Sequence, residues 1–178
     1  MSFQIDPYEL QLVEACMLDD RAAQKALYEK YCKAMYTIAY RILNDYDNAN
    51  DALQDGFIQV FRDISKFKKE STLGAWIKTI IIRSALYTLK KQKAFEPLDI
   101  EVHDTEIIEW DSNMTGQHLE KAIQTLPSGY RSVFVLTEVE GYSHKETAEI
   151  LNISEGTSKS QLFYAKKVLQ TKLKELIN

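Results

Sequence analysis

Residues 143–169 read SHKETAEILNISEGTSKSQLFYAKKVL, and this stretch decides the fold of the C-terminal part of the chain. Ser143 and Glu146 have the spacing of a capping box, in which each side chain accepts a hydrogen bond from the other residue's backbone N–H at the start of a helix. Asn152 tolerates the left-handed backbone of a tight break, and Ser154 can cap a second helix. Helices of about eight and twenty residues joined by three residues are typical of a helix-turn-helix.

The second helix of this hairpin offers a surface for nucleic acid, because the N-terminal end of that helix enters the major groove in helix-turn-helix proteins. Within residues 154–169 its cations are Lys159, Lys166 and Lys167, a modest complement for phosphate contacts. Many helical hairpins have a short connection and bind no DNA, so the spacing alone leaves a purely structural role open. The residues presented at the N-terminal end are Gly156, Thr157, Lys159, Ser160 and Gln161.

The rest of the chain also favours helices. A further helix is predicted before the hairpin, with Pro127 in its first turn and Gly141 after its end. In the first half of the chain, Asp20 and Asp47 are the predicted caps of two helices, and a third helix follows a basic loop. Apolar residues recur there at steps of three and four. The three stripes are Leu27, Tyr31, Ala34, Met35, Ile38 and Ile42; Leu53, Phe57, Val60, Phe61 and Ile64; and Trp76, Ile77, Ile80, Ile81, Ala85 and Leu89.

Charge is distributed unevenly along the chain, whose formal net charge is −4. Residues 94–117 carry seven acids and no lysine or arginine, whereas residues 1–93 and 118–178 are each weakly basic. The low content of 6 Gly and 3 Pro in 178 residues argues against a turn-rich all-β fold. We therefore predict an all-α protein with two small helical domains, 1–93 and 118–178, joined by an acidic linker at 94–117.

Composition and motifs give no support for an enzyme. A Gly-rich phosphate loop and a nucleophile elbow are absent from the sequence, and His103, His118 and His144 lack metal-ligand spacing, so neither metal nor cofactor is expected. Cys16 and Cys32 are predicted to be reduced and buried on two helices. No stretch approaches the ~20 apolar residues of a membrane span. The first residues lack the pattern of a signal peptide, so the expected location is the cytoplasm, without membrane insertion.

Three stretches, in order, resemble the extracytoplasmic-function sigma factors. Residues 47–62, DNANDALQDGFIQVFR, resemble the acidic helix with which that family docks on the coiled coil of the polymerase's largest subunit. Residues 76–91 are similar to the family's promoter-melting helix, and residues 126–169 to its DNA-reading helix-turn-helix. The resemblance implies a transcription initiation factor that catalyses nothing itself. Its implied partners are core RNA polymerase and promoter DNA, with an anti-sigma factor as a further candidate.

The resemblance assigns a task to each domain. The first domain would bind polymerase and open the −10 element, and the second would read the −35 element. The polymerase-binding residues it implies are Asp47, Asp51, Gln54, Asp55 and Ile58, although most acidic runs of this kind are simply solvated helix charges. The −35 contacts it implies come from Ser154, Glu155, Gly156, Thr157, Lys159, Ser160 and Gln161.

The residues implied at the −10 element combine cations with aromatic rings. Arg83, Tyr87 and Lys90 share one helix face, where cations can hold the phosphates of single-stranded DNA while a base stacks on the ring. A half-buried tyrosine between two snorkelling cations is the alternative. Trp76 begins an apolar stripe, so a core position competes with a base-stacking role. The loop 66–72 matches the place where the family captures a −10 base. The full set is Lys66, Lys68, Lys69, Trp76, Arg83, Tyr87 and Lys90.

The chain departs from the family pattern on both DNA-binding helices. Arg83, Tyr87 and Lys90 stand where family members often carry Asn, Asp and Arg. Ser158, Gln161 and Tyr164 stand where Val, Arg and Arg are usual. Two alternatives therefore stay open: a sigma-like adaptor that has lost specific promoter reading, and a helix-turn-helix regulator whose first domain only dimerises.

Overall fold

The computed structural model describes residues 6–92 and 116–177, with side chains of the second range as far as Glu175. All regular structure within these ranges is helical, in agreement with the predicted all-α class. The chain divides into two compact units, Met1–Lys93 and Ala94–Asn178. The acidic linker predicted at 94–117 lies outside the described residues, except for its last two, with which a helix begins. In the described parts of the chain, no helix is long and apolar enough to cross a membrane.

The first unit is a bundle in which three long helices pack on one another and a shorter N-terminal helix packs on the first of them. Its interior is formed by side chains with almost no exposed surface, and burial of their apolar area is the main stabilising contribution. These side chains include Leu27, Ile42, Val60, Leu73 and Ile77. The helices are α1 (Pro7–Met17), α2 (Arg21–Leu43), α3 (Tyr46–Asp63) and α4 (Leu73–Gln92), with a 3₁₀ turn at Ile64–Lys66 after α3.

Helices α3 and α4 approach each other closely at Gly56. A Cβ atom placed on Gly56 would lie 2.5 Å from Cδ1 and 3.5 Å from Cα of Ile81, so a larger residue there would require the end of the Ile81 side chain to move. The hydroxyl of Ser84 on α4 also donates a hydrogen bond to the carbonyl oxygen of Ala52 on α3, at 2.8 Å. The relative orientation of α3 and α4 is therefore fixed by direct contact between backbone and side chain.

In the second unit, three helices pack against one long C-terminal helix. Buried apolar residues from all of them, such as Ile123, Leu126, Val133, Leu136 and Leu169, form its core. The helices are α5 (Gly116–Thr125), α6 (Ser128–Phe134), α7 (His144–Leu151) and α8 (Glu155–Ile177). A π-helical turn at Val135–Val139 extends α6 toward the helix-turn-helix formed by α7 and α8.

Most predicted helix ends are confirmed. Asp20 caps α2 by accepting a hydrogen bond from the backbone N–H of Ala23, at 2.9 Å. Ser143 and Glu146 form the predicted capping box of α7, and Asn152 ends that helix with a left-handed φ of 55°. The backbone N–H of Thr157 donates to Oγ of Ser154 at 2.9 Å, which confirms Ser154 as the cap of α8.

Other sequence-based predictions were wrong in detail. Asp45, not Asp47, caps α3, because Asp45 has the extended backbone of a cap and accepts from the N–H of Asn48. Pro127 is the residue before α6 and not part of its first turn. Cys16 is buried as expected, but Cys32 is partly exposed.

Helix α1 was not predicted. Its start nevertheless has a recognisable signal: Asp6 accepts a hydrogen bond from the backbone N–H of Tyr8, and Pro7 occupies the first helical position.

Candidate nucleic-acid and polymerase interfaces

One side of α3 is acidic and exposed, and it carries the residues predicted to bind polymerase. Leu53, Phe57 and Val60 face the core, so the positions between them project outward. Ile58 is notable on this polar side because an isoleucine with 56% of its surface exposed is available for an apolar contact with a partner. All of the predicted residues are exposed, namely Asp47, Asp51, Gln54, Asp55 and Ile58.

The negative charge on this side of α3 is not balanced within the described part of the chain. Neither Asp51 nor Asp55 forms an ion pair with a described residue. The last turn of α3 differs, because the ammonium of Lys66 lies 2.5 Å from Oδ1 of Asp63, and Gln59 also donates to that carboxylate. The hydrogen bond from Lys66 holds the pKa of Asp63 below its usual value. The outer carboxylates of α3 therefore favour a cationic partner from outside.

The loop between α3 and α4 surrounds a cavity of about 180 Å³. Phe67 is buried, and its ring centroid lies 5.5 Å from that of the partly exposed Trp76 at an interplanar angle of 48°. Trp76 thus belongs both to the packing of the unit and to the cavity wall, and its base-stacking role stays a prediction. Lys68 is exposed, and Lys69 adopts a left-handed φ of 62°. The cavity is lined by Lys66, Phe67, Lys68, Glu70, Ser71 and Trp76.

The exposed side of α4 carries the other residues predicted at the −10 element. Arg83, Tyr87 and Lys90 are all exposed, while Ile77, Ile81, Ala85 and Leu89 face the core. Tyr87 has 62% of its surface exposed, so the alternative of a half-buried ring is wrong. Nζ of Lys91 lies 4.6 Å from the centroid of the Tyr87 ring, which adds a cation to one edge of this surface. An exposed ring among cations is the arrangement that stacks bases and holds phosphates.

The N-terminal turns of α8 present the residues predicted at the −35 element. Glu155, Gly156, Lys159 and Ser160 are exposed together with the cap residue Ser154, whereas Thr157 and Gln161 are partly exposed. Nζ of Lys159 lies 2.7 Å from a carboxylate oxygen of Glu155, so this cation is paired within its own helix. That hydrogen bond also lowers the pKa of Glu155. In the absence of DNA, the surface at the start of α8 is therefore polar and carries little net charge.

Two departures from the family pattern on α8, at Ser158 and Tyr164, have structural partners, as does Lys166 on the same helix. The Tyr164 ring stacks on Tyr130 of α6, with centroids 6.1 Å apart and an interplanar angle of 23°. Lys166 forms an ion pair with Glu138 in the π-helical turn, at 3.0 Å. Ser158 is fully buried, and its hydroxyl oxygen lies 2.9 Å from Nδ1 of His144 on α7. Each of these three side chains therefore joins α8 to an element that precedes it in the chain.

Sequence reasoning did not find two features of these surfaces. No role was predicted from the sequence for Phe67, which lines the cavity. An aromatic residue within a run of lysines could have indicated a cavity there. The bond between His144 and Ser158 was also missed. A signal existed, because Ser158 has the helical spacing of the core residues Leu162, Ala165 and Leu169, and a polar residue at such a position needs a partner.

With this geometry in place, comparison with known proteins defines the class. The family model described as Sigma-70 region 2 matches residues 27–95, and that described as Sigma-70, region 4 matches residues 117–169. The first match holds the acidic side of α3, the cavity and α4, and the second holds the helix-turn-helix. Two helical units with these surfaces, in this order, define a sigma factor of the sigma-70 class.

The relatives specify the group within that class. The chain is 28% identical to the RNA polymerase sigma-H factor of Pseudomonas aeruginosa over 182 aligned positions, covering 94% of each protein. It is 27% identical to the extracytoplasmic-function sigma factor SigW of Bacillus subtilis over 172 positions, covering 88% of this chain and 92% of the relative. The chain belongs to the extracytoplasmic-function group of the sigma-70 family.

A solved structure has a similar fold. The sigma factor RpoE of Bartonella quintana, solved in complex with the anti-sigma factor NepR, aligns with a TM-score of 0.57 and 24% sequence identity. The alignment covers 84% of this chain and 96% of that one. This likeness supports the fold.

Proposed function

We propose that this chain directs core RNA polymerase to specific promoters through three surfaces. The outer side of α3 binds polymerase, the α3–α4 loop and α4 open the −10 element, and the start of α8 reads the −35 element. In this proposal the domains are residues 1–93 and 118–178, joined by a linker at 94–117. The single observation that carries the proposal is the contrast between two neighbouring helices, one exposing unbalanced carboxylates and the next exposing cations around an aromatic ring.

The acidic side of α3 suits a protein partner and not DNA. Carboxylates repel a phosphate backbone, whereas Asp51 and Asp55, which form no ion pair with a described residue, can pair with basic side chains of polymerase. Ile58 lies on the same side of the helix and offers the apolar contact that a stable protein interface needs. Because Leu53 and Phe57 anchor the helix from behind, the surface is presented without rearrangement.

The loop and α4 suit a separated DNA strand. An unpaired base leaves its stack at low cost only when a binding pocket or an aromatic platform receives it. The cavity lined by Phe67 and Trp76 supplies a pocket, and the exposed ring of Tyr87 supplies a platform. Arg83 and Lys90 on the same helix face then hold the phosphates of the opened strand.

The first turns of α8 suit duplex DNA. Gln161 can make a bidentate contact with adenine, and Lys159 can contact guanine or a phosphate once it leaves Glu155. The capped N-terminus of α8 and the hydroxyls of Ser154, Thr157 and Ser160 can contact phosphate oxygens. These contacts would set the position of the protein on the duplex and its preference at single base pairs.

Two further parts of the proposal concern cellular context. The expected site of action is the cytoplasm, where core polymerase and promoter DNA are found. An anti-sigma factor is a candidate regulatory partner, since the Bartonella quintana sigma factor of similar fold was solved with one.

Reconstituted transcription tests the proposal as a whole. The purified full chain is first mixed with core polymerase to measure binding, and then tested for run-off transcription from promoters selected out of genomic DNA. A sigma factor is expected to bind core polymerase and to give promoter-dependent transcripts.

The assay also separates the alternatives. Core binding without transcripts would identify a sigma-like adaptor, and DNA binding without core binding would identify a helix-turn-helix regulator. The departures at Gln161 and Tyr164 are the reason to keep the adaptor under test.

A further inference from the structure

Three tyrosine rings form a cluster beside the acidic side of α3. Tyr36 and Tyr40, one turn apart on α2, stack with their centroids 6.0 Å apart. Tyr46, the first residue of α3, meets Tyr36 edge to face at 5.9 Å. Tyr46 has 67% of its surface exposed, and the other two rings are partly exposed. An exposed aromatic cluster between two helices is a surface at which a partner can gain binding energy.

Negative charge surrounds this cluster. Tyr46 lies between Asp45 and Asp47 in the chain, and both carboxylates interact electrostatically with the side chain of Tyr36. Burial, the two neighbouring tyrosines and then these two carboxylates raise the pKa of Tyr36 above its ordinary value. Asp45 is engaged as the cap of α3, because it accepts from the backbone N–H and the side-chain amide of Asn48. The carboxylate of Asp47 has no ion pair within the described residues.

Three other exposed aromatic rings among the described residues each lie close to a cation. Nζ of Lys30 lies 5.9 Å from the ring centroid of Tyr8, in addition to the Lys91–Tyr87 contact on α4. In the second unit, Nζ of Lys167 lies 4.8 Å from the ring centroid of Phe163. No cation of the described residues lies over Tyr36, Tyr40 or Tyr46. Electron-rich rings beside a carboxylate without an ion pair attract a cation, and the described residues supply none here.

We infer that Tyr36, Tyr46 and Asp47 form a seat for an arginine side chain of core polymerase. The inference rests on the proposed function, since it assigns the seat to the same partner as the acidic side of α3. That assignment follows from continuity and charge: Asp47 is the first residue of the acidic side, and the unbalanced carboxylates beyond it already require a basic partner surface.

Arginine fits this seat better than lysine does. A guanidinium is planar and weakly hydrated, so it can stack on the ring of Tyr46 while its N–H groups donate to the carboxylate of Asp47. A lysine ammonium keeps more of its hydration and has no flat face to stack. The seat is therefore expected to select arginine.

Binding of the full chain to core polymerase tests the seat. Tyr46→Leu keeps an apolar side chain but removes the ring, and is expected to weaken binding by about 3- to 30-fold. Tyr46→Phe keeps the ring and is expected to bind within about twofold of the parent chain. Asp47→Asn, which leaves all three rings in place, is expected to weaken binding as well. Tyr8→Leu removes an exposed ring whose cation comes from within the chain, and serves as the matched control.

The outcomes separate this inference from the proposed function. Absence of core binding by the parent chain would overturn both. If reversal of charge at Asp51 and Asp55 weakens binding but Tyr46→Leu does not, only the seat is wrong. Equal losses for Tyr46→Phe and Tyr46→Leu, or for Tyr8→Leu and Tyr46→Leu, would also overturn it. Circular dichroism checks that each variant is folded.

Two further measurements test the chemistry and the occupant. Oligoarginine and oligolysine of equal length are titrated into the free chain while the ring-proton NMR signals of Tyr46 are followed. Larger shifts with oligoarginine support the seat, and equal shifts overturn the preference for arginine. Self-association of the chain is measured by sedimentation. If Tyr46→Leu abolishes self-association but leaves core binding unchanged, the occupant of the seat is a second copy of the chain and the assignment to polymerase is wrong.

Discussion

The imidazole Nδ1 of His144 lies 2.9 Å from the hydroxyl oxygen of Ser158, and this contact joins the first residue of α7 to the buried side of α8. Ser158 has no exposed surface, so no water from bulk solvent can replace the imidazole as its partner. The two helices of the DNA-reading unit are therefore connected by a polar contact at the point where the reading helix begins.

Replacement of Ser158 tests the strength of that connection. Ser158→Ala removes the hydroxyl and is expected to lower the free energy of unfolding of the second unit by about 1 kcal/mol, the usual contribution of one hydrogen bond. Urea denaturation followed by circular dichroism gives the value. Ser158→Thr retains the hydroxyl as a comparison, and Ser160→Ala removes an exposed hydroxyl that bonds only within α8. A loss with Ser160→Ala as large as with Ser158→Ala would contradict the role given to His144.

Charge reversal on α3 tests the polymerase surface. The double variant Asp51→Lys/Asp55→Lys is expected to lose core binding, because basic groups of polymerase would then face cations. Helicity should be unchanged, since both side chains are exposed and Leu53 and Phe57 still fill the core. Glu14→Lys/Glu29→Lys makes the same change in net charge at exposed positions of α1 and α2 and should bind normally. Core affinity equal in both double variants would rule out a specific role for α3.

Release of Lys159 from its internal partner tests the reading helix. Glu155→Gln removes the carboxylate that lies 2.7 Å from Nζ of Lys159, so the cation becomes available to a phosphate. The expected result is tighter binding to −35 duplex DNA and a salt dependence steeper by about 0.9 in log K against log salt. Glu149→Gln, at an exposed position of α7, makes the same charge change as a control. An unchanged slope would mean that Lys159 does not reach a phosphate.

Removal of the exposed ring on α4 tests promoter opening. Tyr87→Ala should remove stacking of about 1–3 kcal/mol per base while binding to closed duplex stays the same. Permanganate reactivity of promoter thymines reports opening, and competition with duplex DNA reports closed-complex affinity. Tyr87→Phe, which keeps the ring, should open promoters normally. Proportional loss of both measurements, or loss of neither, would remove Tyr87 from the opening step.

The capping box of α7 predicts a response to acid. Hydrogen bonds donated by the hydroxyl and then the backbone N–H of Ser143 hold the pKa of Glu146 below its ordinary value of 4.5. Because the folded-state pKa is lowered, the stabilisation is present above about pH 4.5 and is lost as pH falls through the lower, folded-state value. Glu146→Gln retains a capping side chain but cannot titrate. Acid titration of the second unit should therefore be shallower below pH 4.5 in this variant, and identical curves would refute the assignment.

The sequence predicts those features that depend on neighbours in the chain. The capping box at Ser143 and the left-handed turn at Asn152 follow from local chemistry, and the apolar stripe of α3 follows from helical spacing. The outward direction of Asp51 and Asp55 follows from the same spacing. Ambiguity begins where two residues can satisfy one rule, as with Asp45 and Asp47, which both precede the apolar stripe of α3.

What the sequence could not show depends on contacts between helices. The ring cluster of Tyr36 and Tyr46 forms only because α2 and α3 meet at their connected ends. The pairing of Lys166 with Glu138 requires the π-helical turn, for which the residue pattern gives no signal. The cavity lined by Phe67 and Trp76 likewise depends on the packing of the loop residue Phe67 against α4.

The close contact at Gly56 makes α3 and α4 of the first unit behave as one rigid body. Because its missing side chain lets α3 lie directly on Ile81, the proposed polymerase surface and the proposed strand-opening surface cannot turn independently. Binding of α3 to core polymerase would therefore place Arg83, Tyr87 and Lys90 in a fixed orientation relative to the polymerase. A larger residue at position 56 would first displace the end of the Ile81 side chain, so the packing between the two surfaces could be changed there while both surfaces stay chemically intact.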